Sequence, residues 1–298
     1  MYHLLSALKR IIERKVCNIQ TLRTNVLAGA TSIPIVSAKR FQPAQEVVIY
    51  RNGEDDGELN TIKCVTDYQT IELLNPIGED YATSNTRIQN LIEGGQWMRG
   101  IYIGDPPVIP RYPAITIHGD SISSEWLTLD STSERYEVSI SVYIEASHYE
   151  KSYEYVLKLT DQIRTTLFYN FYPLVSPYWT TVLAADVNAE DTVIRVTNDS
   201  DLNQNISWFF LESEKYTRNV SPSCYLGNNV IELRFPPGVP FSAGDEVIVP
   251  GRHFYDTRPN TINFGNIVKN TLLYGSRISY YAVEEVWRPD NYFETIDK

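Results

Sequence analysis

The sequence predicts an α+β fold: an antiparallel sheet with helices on one face, interrupted by two small inserted β-barrel-like domains. Two observations carry that expectation. The same β-rich pattern is written twice, about 160 residues apart. The chain around and between the copies alternates strand patterns with helical stripes, as one host domain would.

Taken in order, residues 1–24 predict an N-terminal helix, because Leu4, Leu5, Leu8, Ile11 and Ile12 recur at helical spacing. Lys9, Arg10, Arg14 and Lys15 form its solvated face. Residues 25–88 form the first β module and residues 181–249 its duplicate. Val26-Leu27-Ala28 matches Val182-Leu183-Ala184, and Ser32-Ile33-Pro34-Ile35-Val36 matches Thr192-Val193-Ile194-Arg195-Val196. Phe41 matches Leu202, and Val47 to Tyr50 matches Ile206 to Phe210. Thr70-Ile71-Glu72-Leu73 matches Val230-Ile231-Glu232-Leu233, each copy then reaching a proline, Pro76 or Pro236. Tyr81 to Ile88 and Phe241 to Ile248 close the copies, the second through a Gly244-Asp245 turn. The blocks alternate β-branched or aromatic residues with polar ones, so each reads as a module of about five short strands.

Residues 89–180 form the host core. Ala114 to His118 is a short strand, Gly119-Asp120 a turn, Glu125 to Leu129 a second strand, and Arg135 to Ile144 a long alternating strand with Tyr136, Val138, Ile140, Val142 and Ile144 inward. A helix runs from Tyr149 to about Phe171, with Tyr153, Val156, Leu157, Ile163, Leu167 and Phe171 on its stripe and Pro173 ending it. Residues 250–298 return to that core through a helix over Ile262 to Leu273 and a last strand over Arg277 to Trp287.

Composition excludes several function classes. The net charge of −11 argues against a protein that grips nucleic acid, since phosphate binding relies on Lys and Arg releasing counterions. No stretch approaches the roughly 18 apolar residues of a membrane span, and Met1-Tyr2-His3-Leu4-Leu5 lacks a basic leader region, so no membrane partner and a cytoplasmic site of synthesis are expected. Cys17, Cys64 and Cys224 are isolated from one another and read as reduced, partly buried thiols. Asn198, Asn205 and Asn219 head glycosylation-like triplets that mean nothing without a secretory route.

One catalytic pattern is weighed and set aside. Ile115-Thr116-Ile117-His118-Gly119-Asp120-Ser121-Ile122 resembles the first block of GDS-type esterases, which would make Ser121 a nucleophile. That chemistry needs a histidine to take the serine proton and an aspartate three residues before it to orient the ring. The residues three before His118, His148 and His253 are Ile115, Glu145 and Pro250, and His3 has none. The segment after Ser121 reads as strand, where those esterases place a helix. The histidines form no His-x-x-x-His pair, no glycine-rich phosphate loop occurs, and Glu54-Asp55-Asp56-Gly57-Glu58 lacks the ligand spacing of a calcium loop and reads as a hairpin tip. No catalytic, cofactor-binding or metal site is therefore expected, and no enzyme.

The host core carries a resemblance. Pro113-Ala114-Ile115-Thr116-Ile117, then Arg135-Tyr136-Glu137-Val138-Ser139-Ile140-Ser141-Val142-Tyr143, then a helix with Asp161-Gln162-Ile163-Arg164-Thr165-Thr166-Leu167, resembles the tail-terminator and tail-completion (neck) family of long-tailed bacteriophages over about Tyr102 to Phe171, together with the strand Arg277 to Trp287. The paired modules resemble the Val-Leu-Ala, strand, Gly-Asp-x-Val type found in phage head, neck and tail proteins. The resemblance implies a structural virion protein of the neck, assembled in the host bacterial cytoplasm. Its subunits would form a homo-oligomeric ring, a hexamer, that caps the tail tube and joins it to the head connector, with genomic DNA passing through unbound. Another head-completion or baseplate adaptor role is the alternative.

Overall fold

The computed structural model describes residues 1–54, 56–91, 96–128, 131–145, 149–169, 174–198, 208–213, 216–254, 256–266 and 273–287. Helix α1 (Tyr2–Ile11) runs into one π-helical turn (Ile12–Val16), followed by β1 (Gln20–Thr21), β2 (Ser32–Pro34), β3 (Glu46–Arg51), β4 (Gly57–Asp67), β5 (Thr70–Leu73) and β6 (Thr86–Asn90). Next come β7 (Gly100–Ile103), β8 (Ala114–Trp126), β9 (Ser131–Glu145), α2 (Tyr149–Tyr169) and β10 (Leu174–Val182). The remaining strands are β11 (Val193–Arg195), β12 (Phe209–Glu212), β13 (Thr217–Val220), β14 (Pro222–Gly227), β15 (Val230–Leu233), β16 (Glu246–Phe254), β17 (Asp256–Asn266) and β18 (Leu273–Trp287).

The fold is mostly β, with 52% strand and 14% helix in several sheets, which corrects the expected α+β class with helices on one sheet face. Two misread segments explain much of the difference. The helix expected over Ile262 to Leu273 is strand β17 as far as Asn266, and residues 267–272 lie outside the described ones. Ile262 and Phe264, spaced by two, sit opposite Ile278 and Ser276 of β18 on one sheet face. The turn expected at Gly119-Asp120 is absent: β8 runs through it as one 13-residue strand.

The chain divides into two compact units, one of Met1–Val16, Met98–Ser176 and Arg252–Lys298, the other of Cys17–Trp97 and Pro177–Gly251. In the second unit the strand order β1-β6-β3-β4-β5-β2 of the first β block recurs as β10-β16-β12-β13 and β14-β15-β11. The bent strand β4, which pairs with β3 at one end and β5 at the other, corresponds to β13 and β14 in succession. The two register slips of β4 against β5, at Ile62/Cys64 and Val65/Asp67, have counterparts at Pro222/Cys224 and Tyr225/Gly227. In both copies a single bridge, Leu22 to Ile35 or Leu183 to Val196, joins the first strand to the segment after the second. Each copy holds an apolar cluster, with Ile33, Ile35, Ile49, Ile71 and Leu73 in one and Ile194, Val196, Leu211, Ile231 and Leu233 in the other. Each such side chain contributes about 1.5–3 kcal/mol when fully buried.

These pairings revise the alignment of the copies. Val26 bridges Tyr81 and Val187 bridges Phe241, so Val26 corresponds to Val187, and the shared Val-Leu-Ala tripeptides occupy different places. Ile33 corresponds to Ile194, one residue from the sequence match, since Ile33 faces Ile71 and Ile194 faces Ile231. The slip matters because a one-residue shift turns a strand's side chains to the other face. Val193, the residue matched to Ile33 in sequence, is 46% exposed. Leu202, Ile206 and Ser207 lie outside the described residues.

In the first unit β17-β18-β9-β8-β7 form one sheet, antiparallel except for the β7–β8 pair. The C-terminal strand β18 pairs with β9 from Leu273↔Glu145 to Trp287↔Ser131. Helix α2 touches β18, β9 and β17. Its buried residues are Tyr155, Val156, Leu159, Thr160, Ile163 and Leu167, a stripe at i, i+3, i+4, i+7 and i+11 from Val156. Leu157, expected on that stripe, points outward, while Phe171 and Pro173 lie outside the described residues. The Thr160 and Ser276 hydroxyls meet at 2.5 Å and identify the sheet face beneath α2 as that of Ser276, Ile278, Tyr280 and Ala282. Opposite them on β9 lie Val142, Ile140, Val138 and Tyr136.

Candidate functional site

Ser121 lies on the exposed half of β8, opposite Glu137. The register with β9 slips between Gly119 and Ser121, so Asp120 is the extra residue of a β-bulge. Its carboxylate accepts the Ser139 hydroxyl at 2.5 Å and Arg277 Nη2 at 3.1 Å, and Arg277 Nε donates to Ser139 Oγ at 2.8 Å. The acid that a serine relay would call on is thus committed to a ladder across three strands. The backbone behind Ser121 continues as strand to Trp126.

A second polar cluster sits on the opposite face. Glu134 and Glu284 are cross-strand neighbours, and the buried Tyr136 hydroxyl shares its one proton between their side chains, its oxygen 3.0 Å from Glu284. Burial first, then these two acids, push the Tyr136 phenol well above its ordinary range, so it stays protonated and can bridge the two side chains. The Phe254 ring meets that of Tyr136 edge-on at 5.9 Å. This arrangement is structural glue, because a phenol held protonated is a donor rather than a base.

In the first β block, Glu54 to Glu58 spans the tip of the β3–β4 hairpin, Asp55 lying outside the described residues. Arg51 pairs with Glu79 at 2.9 Å and Glu54 at 3.4 Å and stands 5.2 Å over the Tyr81 ring. Tyr81 donates to Glu58, whose other oxygen accepts the Gly78 N–H. These residues with Tyr50 and Asp56 line a groove of about 560 Å³, its acids largely answered by Arg51 and Tyr81. Among the described residues no group of three or more His, Cys, Asp or Glu is placed to hold a metal ion, and no helix is long and apolar enough to cross a membrane. Cys17 is buried, whereas Cys64 and Cys224 occupy matching places opposite Glu72 and Glu232, with Cys224 exposed.

Two surfaces of the first unit escaped the sequence reading. Strand β7 pairs with β8 only from Ala114 to Ile117, so among the described residues no strand covers the outer edge of Ser121–Trp126. That stretch carries Ile122 and Trp126, 53% and 61% exposed. At the other end of the sheet, among the described residues, β17 pairs only with β18. Between β17 and α2 lies a groove of about 690 Å³ lined by Arg164, Thr165, Phe168, Pro259, Ile262 and Phe264, with Phe168 59% and Phe264 43% exposed. The available signal was Ile122 and Trp126 standing alone in a polar run.

No family model matches the sequence, and no curated protein matches it. Among solved structures, partial matches include the tailspike protein gp49 from Pseudomonas phage LKA1, at 16% identity over 29% of this chain and 16% of that one, TM-score 0.23. Another is the Gp54 tailspike of Acinetobacter baumannii bacteriophage AP22, solved with A. baumannii capsular saccharide, at 17% identity over 28% of this chain and 16% of that one, TM-score 0.23. The chain therefore spans under a fifth of the length of either tailspike.

Proposed function

We propose that the protein is a non-enzymatic structural part of a phage virion, a tail terminator that caps the tail tube and joins the tail to the head connector as a closed ring of six subunits. The observation behind this reading is the union of β8, β9 and β18 in one sheet. The two stretches that resemble the tail-terminator family, Tyr102 to Phe171 and Arg277 to Trp287, are separated in sequence by the second β block, and they meet strand to strand over the length of β9. The bulge ladder at Asp120 and the bridge at Tyr136 brace that sheet, and the ladder holds the Asp120 carboxylate on Ser139 and Arg277. The net charge of −11 suits a passage through which DNA slides, because few cationic side chains are available to hold phosphates.

Deleting the gene from its phage and examining the lysate by electron microscopy tests the reading. Full heads and tails that fail to join, with tails of irregular length, are expected, and a plasmid copy should restore virions. Normal joined virions from the deletion, or tight salt-dependent DNA binding by the isolated protein, defeat it.

A further inference from the structure

We infer that the tip of the β3–β4 hairpin is a self-modification site, at which the side-chain amide of Asn52 converts to a carboxylate through attack by the backbone nitrogen of Gly53. The only other reactant is water.

The sequence supplies the reacting pair at one place. Asn52-Gly53 is the chain's only asparagine–glycine step, and every other asparagine precedes a larger residue. Glycine matters because it has no β-carbon to crowd its nitrogen as that nitrogen closes on the neighbouring amide. The turn explains why the pair stands there. Glu54 N donates to the Arg51 carbonyl at 3.1 Å, so residues 51–54 form a tight turn with Gly53 in third place at φ +91, a conformation that glycine adopts freely.

The fold leaves this pair open and packs a second such step shut. Asn52 and Gly53 are both exposed, and a β-carbon built at Gly53 would meet nothing within 4 Å. Asp56-Gly57, on the other side of the tip, could form the same cyclic imide by losing water. Gly57, however, pairs with Tyr50 in the ladder, and the Val48 and Trp97 side chains fill the place of its missing β-carbon, Trp97 at 3.2 Å. That packing fixes the Gly57 peptide and keeps its nitrogen from closing on Asp56.

The step balances without a cofactor. The Gly53 nitrogen gives up its proton and bonds to Asn52 Cγ, the Cγ–Nδ2 bond breaks, and Nδ2 leaves as ammonia with that proton. Water then opens the cyclic imide at either carbonyl, which yields aspartate or, with the main chain rerouted through Cβ, isoaspartate. Either product adds one negative charge beside Arg51, whose guanidinium already serves Glu79 at 2.9 Å and Glu54 at 3.4 Å. The isoaspartyl form also lengthens the turn, so the bond from Glu54 to Arg51 no longer closes the same ring. The hairpin thus carries a slow clock whose product adds an acid next to an already acidic groove.

The test incubates full-length protein in heavy-oxygen water at neutral and mildly alkaline pH, folded and in urea, and maps the peptides by mass spectrometry. Folded protein should convert Asn52 ahead of every other asparagine, with one solvent oxygen in the product and isoaspartate read by an isoaspartate methyltransferase. The rate should rise with pH, because the attacking nitrogen must lose its proton. Isoaspartate at Asp56 should form in urea and not in the folded protein. Gly53→Ala should slow the conversion several-fold in a protein whose melting curve shows it folded, and Asn52→Ser should abolish solvent-oxygen uptake at that position. An Asn52 amide that persists in the folded protein while it converts in urea would overturn the inference. Conversion without solvent oxygen, or isoaspartate at Asp56 equal to that at Asn52 in the folded protein, would also overturn it. These wild-type outcomes decide the matter even where Gly53→Ala fails to fold.

Discussion

Replacing Gly244 with alanine should destabilise the second unit through two separable effects. Gly244 has φ +83, a left-handed conformation that costs an L-residue about 1–2 kcal/mol. A β-carbon built there would also lie 2.7 Å from Tyr68 Cδ2 and 3.0 Å from Tyr68 Cβ, and overpacking of this kind costs about 1–3 kcal/mol. The expected loss is therefore about 2–5 kcal/mol. Gly29 provides the control: its φ is +88, and a β-carbon there would meet nothing within 4 Å, so Gly29→Ala should lose only the conformational part, about 1–2 kcal/mol. Urea unfolding with an unchanged slope measures both. In a Tyr68→Ala background, which removes the Cδ2 contact and keeps the Cβ one, the Gly244→Ala loss should fall toward the Gly29 level without reaching it. Because Tyr68 belongs to the first β block and Gly244 to the second, the difference reports whether the blocks are packed as one unit. Equal losses for Gly29→Ala and Gly244→Ala beside an intact Tyr68 would refute the reasoning.

The same contact has a polar half: Lys39 Nζ lies 2.6 Å from the buried Asp245 carboxylate, so Lys39→Met should lose about 1–3 kcal/mol, and a double-mutant cycle with Asp245→Asn that shows no coupling would count against the pair. On α2, Ile163→Ala should lose about 2–5 kcal/mol in thermal or urea melts, with Leu157→Ala near zero; comparable losses would mean that the stripe faces the other way. Ile62 N donates to the Gln45 carbonyl at 2.9 Å, whereas its counterpart in the second block is Pro222, with no N–H to give. The backbone there already tolerates proline in one copy, so Ile62→Pro should be worse than Ile62→Ala by only the lost bond, about 0.5–1.5 kcal/mol, and a far larger gap would deny the equivalence. Ester hydrolysis by the purified protein should be the same for wild type and Ser121→Ala, and a serine-dependent rate would contradict the assignment of that strand.

What the sequence revealed depended on whether a pattern had one physical cause or two. Alternation in Thr70-Ile71-Glu72-Leu73 and Val230-Ile231-Glu232-Leu233 has one, an interior on one face only, and those strands pair in matching registers in both copies. The Val-Leu-Ala tripeptides share letters without sharing a bridge partner: Val26 answers Tyr81, while Leu183 answers Val196. Identity over three residues is weaker than the cross-strand partners that decide where a strand sits, and those partners are distant in sequence. The fold class failed for a related reason. Ile262, Phe264 and the residues after them satisfy a loose helical spacing and a strand spacing alike, and only the presence of Ile278 and Ser276 across the ladder selects the strand.

Gly119-Asp120 shows the same ambiguity at the place where function was sought. Glycine followed by aspartate suits a tight turn, yet a glycine inside a strand pattern equally marks a bulge. The deciding partners are Ser139 and Arg277, which take the Asp120 carboxylate from strands 19 and 157 residues away. Read as a turn, the segment splits β8 into two short strands and hides its length. Read as a bulge, it lets one strand run past β7, and among the described residues no strand lies beside its outer edge from Ser121 onward. The misplaced turn therefore concealed how far β8 extends beyond β7.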